Sequence, residues 1–303
     1  MLRADFVHLH THSHYSLLEA LPRIPELVAA AKKDGMSALA LTDNGNMYGA
    51  IEFYKECKAQ GLKPIIGVDL FVAPRTRHDK EHRVDDQLGR LILLAKNETG
   101  YKNLLKLVSD SYLEGFYSRP RIDRELIEKY HEGLIAILPS HGGEVAYALR
   151  HGDKNRASQS LEWHKKLFGD DCYLEITRHP EIPDHEKEMK ALAAFAKENK
   201  AQIVAAHDVY YLEPGDGLAC DLVNKIRTGG VLDRENGEYR MRDFSFLPQK
   251  KMQALFKDMP EALENAGKIA EECNLELELG KWLFPDFQIP DGRTPDDELR
   301  ELA

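Results

Sequence analysis

The sequence predicts an α/β fold in which seven strands and their connecting helices form a closed barrel. Short apolar runs of the length of buried strands alternate with amphipathic stretches at helical spacing. The connections between them are short, as in right-handed βαβ units with a parallel sheet. A length of 303 residues and 43% hydrophobic residues suit one such barrel with an appendage.

The predicted strands begin with a histidine-rich segment at Phe6. Side chains alternate along a strand, so His8, His10 and His12 share one face there. The other six predicted strands are apolar runs at residues 37–41, 63–72, 91–95, 134–138, 172–177 and 202–206.

Helices are predicted between these strands and after the last of them. Gly35 and Gly61 fit left-handed helix ends, and Asp123 fits an N-cap. The predicted helices span residues 24–33, 50–60, 101–113, 124–130, 144–151, 157–167, 185–200, 221–227, 248–256 and 260–273. Residues 74–89 are charged and without periodicity, which predicts a solvated loop.

The sequence divides into three predicted regions. We expect the barrel at 1–214, its helical completion at 215–280, and the start of a linker and first helix of a further region at 281–303. That last helix would begin at Thr294 and leave Leu299 and Leu302 without partners, so we expect the parent protein to continue.

Composition narrows the function classes. A net charge of −10 and a pI near 5.7 argue against a domain that binds nucleic acid by itself, because phosphate contacts need clustered basic residues. The four cysteines are dispersed, which predicts neither a disulfide framework nor a zinc finger and favours a reducing, cytoplasmic location. No apolar run approaches 18 residues, so no membrane association is expected.

Residues able to bind a metal follow the predicted strand ends, where barrels place their ligands. They are His10 and His12, Asp43 and Asn44, Asp69, Ser140 and His141, and Asp208 and Tyr210, with Arg90 entering the fourth strand. A His-x-His pair can bind one divalent ion. Each acid alone also has an ordinary interpretation, such as a turn residue for Asp43 or an ion pair with His207 for Asp208.

Several of these motifs resemble the polymerase-and-histidinol-phosphatase (PHP) domain: His10-x-His12, TDNGNM at 42–47, PIIGVD at 64–69 and HDVY at 207–210. FVHLH at 6–10, LAKNETGY at 94–101 and PEALEN at 260–265 are similar to the N-terminal region of bacterial DNA polymerase III alpha subunits. The resemblance implies a distorted, seven-stranded, TIM-like (βα) barrel, in agreement with the strand count, followed by a short helical and extended segment.

The resemblance also implies up to three metal sites, and this sequence departs from them. The first would have His10, His12, Asp69 and Asp208. In the second, Arg90 and Ser140 stand at ligand positions, with His141 one residue away. The third would have Glu19, Asn44 and Tyr210.

These departures from the family's ligand pattern predict that the metal site is degenerate. Arginine has no lone pair to donate, and tyrosine binds well only after losing a proton with a pKa of about 10. Hydrolysis of phosphoesters at such sites uses two or three metals. We therefore expect one divalent ion at most (Zn²⁺, Mn²⁺ or Mg²⁺), no other cofactor, and weak or absent hydrolysis.

Three functions remain open from the sequence. The first is a scaffold and docking region of a polymerase III alpha chain, bound to the remainder of that chain and, as the resemblance implies, to a proofreading exonuclease subunit. In it, DNA is contacted only through the parent protein. The alternatives are an active metal-dependent phosphoesterase (a 3′–5′ exonuclease or a small-molecule phosphatase) and a stand-alone metal-binding protein. A cluster of Tyr112, Tyr117, Arg119 and Arg121 would contact either DNA or further domains.

Overall fold

The computed structural model describes residues 6–229, 243–282, 287–290 and 292–303. Parts of the predicted helical completion (230–242) and of the predicted extended segment (283–286 and 291) lie outside the described residues.

Seven strands form one curled, mixed sheet, so the predicted strand number is confirmed. They are β1 (Ala38–Leu41), β2 (Lys63–Val72), β3 (Gly89–Ala95), β4 (Arg121–Ile122), β5 (Leu134–Leu138), β6 (Cys172–Ile176) and β7 (Gln202–Ala205). The order across the sheet is β1-β2-β3-β5-β6-β7, and β4 pairs with β2 outside this path.

The prediction of a wholly parallel sheet is wrong for β3. This strand pairs antiparallel with both β2 and β5. The connection from β2 to β3 contains no helix that could carry the chain back across the sheet, so the chain re-enters in the opposite direction. As a result, the amino end of β3 lies beside the carboxyl end of β2, with Arg90 opposite Phe71.

The predicted histidine strand is only partly realised. Thr11 forms an isolated bridge with Val209, and the described residues from Phe6 to His12 contain no longer ladder. Its backbone nevertheless pairs on two sides: the Ala40 amide donates to the His8 carbonyl (3.0 Å), and the Val209 amide donates to the His10 carbonyl (3.1 Å). The segment thus lies between β1 and the residues after β7, at the open side of the curled half-barrel.

The helices follow the predicted pattern. They are α1 (Ile24–Lys33), α2 (Ala50–Gln60), α3 (Glu98–Leu113), α4 (Arg124–Tyr130), α5 (Glu144–Arg150), α6 (Lys154–Phe168), α7 (His185–Glu198), α8 (Gly217–Thr228), α9 (Gln249–Leu255), α10 (Pro260–Glu272) and α11 (Pro295–Leu302). The strands are buried almost throughout, and α10 packs against β7, where Asn265 Nδ2 donates to the Ile203 carbonyl (2.7 Å). Among the described residues, no helix combines the length and the apolar character that a membrane crossing needs.

The charged connection from β2 to β3 is mostly exposed and contains no helix or strand, as the sequence predicts for a solvated loop, yet it also has a buried anchor. It folds around Arg121, whose side chain is fully buried. Arg121 Nε donates to the Gly115 carbonyl (2.9 Å), and Nη2 donates to the carbonyls of Arg77 (2.8 Å) and Asp79 (2.9 Å). A planar guanidinium with five fixed donors can satisfy several carbonyls at once. The burial of Arg121 contradicts the alternative in which it contacts DNA.

Candidate metal centre

The residues predicted for the site come together at one end of the sheet. His10 and His12 are on the N-terminal segment, Asn44 follows β1, Asp69 lies within β2, Arg90 is near the start of β3, Ser140 and His141 follow β5, and Asp208 and Tyr210 follow β7. Arg90 joins this group because β3 is antiparallel.

His10 lies between two sets of carboxylates and is 3% exposed. Its Nε2 is 3.1 Å from Asp69 Oδ2, and its Nδ1 is 2.8 Å from Glu175 Oε1 and 2.9 Å from Asp208 Oδ1. Burial disfavours the charged ring, but the carboxylates outweigh this effect and hold the pKa of His10 well above its ordinary value.

His12 has one ring nitrogen open. Its Nδ1 contacts the Val209 carbonyl (3.1 Å), and its ring stacks on Tyr210 with centroids 4.2 Å apart. Among the described residues, Nε2 has no hydrogen-bond partner; it lies 3.9 Å from Asp69 Oδ2. Ligand atoms of His10, His12 and Asp69 lie within 4.8 Å of one another, so one ion could bind all three.

The Arg90 guanidinium occupies the neighbouring position. Its Nε donates to Asp69 Oδ1 (2.9 Å), and its Nη2 contacts Asp69 Oδ2 and donates to Asn44 Oδ1 (2.5 Å). Asp69 is fully buried. Burial alone would raise the pKa of Asp69, but Arg90 and His10 hold it well below its ordinary value.

The residues expected for a third metal bond to one another. Asn44 Nδ2 donates to Glu19 Oε2 (2.6 Å), and Glu19 pairs with Arg119 (2.5 Å) and Arg227 (3.6 Å). Burial raises the pKa of Tyr210 to about 12, so its phenol keeps its proton at neutral pH. The side chains of Arg90, Arg119 and Arg227 and the Asn44 amide therefore already contact the oxygen atoms of Glu19 and Asn44 that would bind a third ion.

Ser140 and His141 also differ from a second metal site. The backbone amide of Ser140 (2.9 Å) and its hydroxyl (3.0 Å) donate to Glu175 Oε2. His141 is exposed at the mouth of the site. Asp43 points elsewhere, since its carboxylate accepts from the Ser13 amide (2.7 Å) and the Ser16 hydroxyl (2.6 Å) and fixes the turn at 13–16.

Sequence reasoning missed Glu175. It lies on β6, is fully buried, and forms a second ligand group with His10 and Asp208 whose atoms lie within 4.8 Å of one another. Asp208, expected beside Asp69, thus contacts the opposite nitrogen of His10. The available signal was a carboxylate inside an otherwise apolar strand, because a buried carboxylate requires a partner.

A cavity of about 430 Å³ opens above the site. Arg90, Tyr210 and Glu19 form one wall, and α8 forms the other with Lys225 and Arg227 among its lining residues. Cys220 Sγ, on the same helix, donates to the Glu19 carbonyl (3.2 Å) and anchors α8 there.

Comparison with protein families matches residues 8–179 to the PHP domain. A DNA polymerase III subunit alpha from Borreliella burgdorferi is 44% identical over 294 residues, covering 95% of this chain and 25% of the relative. A DNA polymerase III subunit alpha from Treponema pallidum is 40% identical over 293 residues, which cover 96% of this chain and 25% of that relative. The chain thus spans about a quarter of the length of these relatives. An amidohydrolase structure from Chromobacterium violaceum aligns with TM-score 0.42 and 13% identity, covering 67% of this chain and 87% of that one.

Proposed function

The chain belongs to the PHP domain family, and we propose that it is the N-terminal PHP region of a bacterial DNA polymerase III alpha subunit. In this proposal the barrel is a scaffold and docking surface, its metal site is degenerate, and DNA synthesis belongs to the parent protein. Identities of 44% and 40% to alpha subunits over almost the whole chain support the assignment. A cytoplasmic location is part of the same proposal.

We propose that the site holds at most one divalent ion (Zn²⁺, Mn²⁺ or Mg²⁺). The residues fit one ion: His12 has an unpaired buried nitrogen, and His10 is common to both candidate ligand groups. The ligands predicted from the sequence divide between the two ring nitrogens of His10: His12 and Asp69 lie on the Nε2 side, and Asp208 lies on the Nδ1 side. We propose that the single ion takes its ligands from one of these sides. Such an ion would supply positive charge to buried carboxylates, which is a structural role.

We propose that hydrolysis is weak or absent, and the position of Arg90 is the main observation that supports this. It contacts both oxygens of Asp69 and the Asn44 amide oxygen, and its charge is permanent. A second ion beside Asp69 would meet this like charge at close range. Two-metal hydrolysis needs ions about 3.5–4 Å apart to hold the attacking and leaving oxygens, and the guanidinium occupies the place where a second ion would bind.

The outer face of α8 supports the docking role. Leu218, Leu222 and Ile226 recur at i, i+4 and i+8 and are 60%, 45% and 63% exposed. The helix reverses the usual arrangement, because its polar residues face the site and its apolar residues face solvent. The proposed occupant is the remainder of the alpha chain, since the relatives are about four times as long as this chain. A proofreading exonuclease subunit is a further proposed partner.

The alternative is an active phosphoesterase, favoured by the cavity and its basic wall at Lys225 and Arg227. Metal analysis and assays of phosphatase and single-strand nuclease activity with Mn²⁺ or Zn²⁺ separate the two. We expect one bound ion or fewer per chain and no activity above that of His10→Ala. Two or three ions, together with hydrolysis that the variant lacks, would establish the alternative.

A further inference from the structure

The contacts of His10 suggest which of its two sides holds the ion. Its Nδ1 is 2.8 Å from Glu175 Oε1 and 2.9 Å from Asp208 Oδ1, yet one N–H can point at only one of these oxygens. Asp208 Oδ1 is buried and receives no hydrogen bond among the described residues. Glu175 Oε1, Asp208 Oδ1 and His10 Nδ1 therefore lie close together, but the single proton on Nδ1 can form a hydrogen bond to only one of the two oxygens.

We infer that the divalent cation of this chain binds His10 Nδ1, Glu175 and Asp208, with Glu175 as a ligand absent from the sequence-derived set. This inference rests on the proposed function only in assuming a single ion. Ligand atoms of these three residues lie within 4.8 Å of one another. A nitrogen with two carboxylates is a donor set that Zn²⁺ and Mn²⁺ accept, and solvent can complete the coordination.

Charge favours this side of the ring over the other. Both oxygens of Asp69 already contact the Arg90 guanidinium, so an ion bound there would lie beside a permanent positive charge. The second oxygen of Glu175 accepts instead from the neutral amide and hydroxyl of Ser140. These neutral donors orient the Glu175 carboxylate without cancelling its charge.

The other ring nitrogen then has a defined role. With an ion held at Nδ1, the neutral His10 ring would carry its one proton on Nε2, and the proton displaced from Nδ1 would pass to solvent. Nε2 lies 3.1 Å from Asp69 Oδ2 and donates to it. Asp69 becomes the carboxylate that fixes the tautomer and ring orientation of a metal-bound histidine.

Calorimetric titration of the whole 303-residue chain with Zn²⁺ tests the inference. We expect Glu175→Gln to weaken binding by more than about 100-fold, because even outer partners of metal ligands contribute about 10–100-fold. His151→Gln, at an exposed histidine outside both candidate ligand groups, is the control and should change the dissociation constant by less than about threefold. His12→Gln, in the alternative ligand group, should weaken binding far less than Glu175→Gln. Circular dichroism establishes that each variant is folded. If Glu175→Gln is not, Asp208→Asn takes its place, since the Asp208 side chain is 15% exposed.

Nitrogen-15 NMR of labelled histidine gives an independent measurement. With Zn²⁺ bound, His10 should carry its proton on Nε2 and show metal-shifted Nδ1. Loss of binding in His12→Gln with retention in Glu175→Gln would overturn the inference, as would absence of Zn²⁺ binding in the unmodified chain. Both outcomes leave the single-ion proposal intact, whereas two or more ions with hydrolysis would overturn that proposal instead.

Discussion

Replacing Arg121 with methionine tests how the connection between β2 and β3 is held. Methionine keeps most of the apolar stem but removes three hydrogen bonds of 2.8–2.9 Å to backbone carbonyls. A hydrogen bond to a charged group contributes about 1.5–3 kcal/mol, so the lower limit for three is about 4.5 kcal/mol. Small domains unfold with only about 5–15 kcal/mol. We therefore expect Arg121→Met to lose at least about 4.5 kcal/mol of the free energy of unfolding.

Urea unfolding at neutral pH measures this loss, and limited proteolysis shows whether residues 74–88 become cleavable. Arg124→Met is the matched control: its side chain is 52% exposed and pairs with Glu144, which predicts a loss below about 1 kcal/mol. The reasoning is refuted if Arg121→Met loses no more than this control and the connection stays equally resistant to protease.

Three further predictions concern other parts of the chain. Arg90→Met leaves Asp69 buried without its cation, so urea unfolding should show a loss of about 3–5 kcal/mol, partly restored by added Zn²⁺; unchanged stability would contradict this. Burial opposes the charge of Glu181, but hydrogen bonds outweigh it and lower its pKa from 4.5 to about 2. The resulting stability is present above pH 4.5 and lost as the pH falls towards 2, so Glu181→Gln should flatten melting temperatures across that window; an unchanged slope argues against the assignment. Leu222→Asp should change the free energy of unfolding of the free chain by less than about 0.5 kcal/mol, yet weaken its association with a separately expressed remainder of the alpha chain. Leu113→Asp, also at an exposed position, is the control and should leave this association unchanged. Equal binding by both variants would exclude α8 as the docking face.

The helices could be predicted closely because their signals are local. The bounds of α1 and α2 are as predicted, and Gly61 has the left-handed conformation expected at a helix end (φ 70°). Asp123 and Thr294 accept hydrogen bonds from backbone amides as N-caps. Helical periodicity and helix caps depend on residues that are close in sequence, so tertiary contacts change the bounds of these helices little.

Strand direction could not be predicted in the same way. An apolar run such as 91–95 has the same pattern in either direction, and only the path of the preceding connection sets its orientation. That connection is contacted by Arg121, which comes more than thirty residues later and donates to the carbonyls of Arg77 and Asp79. A charged segment without periodicity carries no sign of such a distant partner.

The chemistry of the site was partly accessible from the sequence. Arg90 at a predicted ligand position indicated from the sequence that a metal ligand is missing there, and the structure pairs its guanidinium with Asp69. The contact of Glu175 with His10 joins residues 165 positions apart and depends on which way the imidazole ring is turned. No spacing rule encodes a ring orientation.

The position of the N-terminal segment has a consequence for synthesis on the ribosome. His12 is synthesised before Val209, with which it forms a contact, and the two residues are 197 positions apart. In a nascent chain the segment with His10 and His12 therefore lacks its hydrogen bonds to Val209 until that residue has emerged, and contacts between such distant residues form slowly. Chains released before residue 209 would lack the backbone hydrogen bonds between the N-terminal segment and Val209.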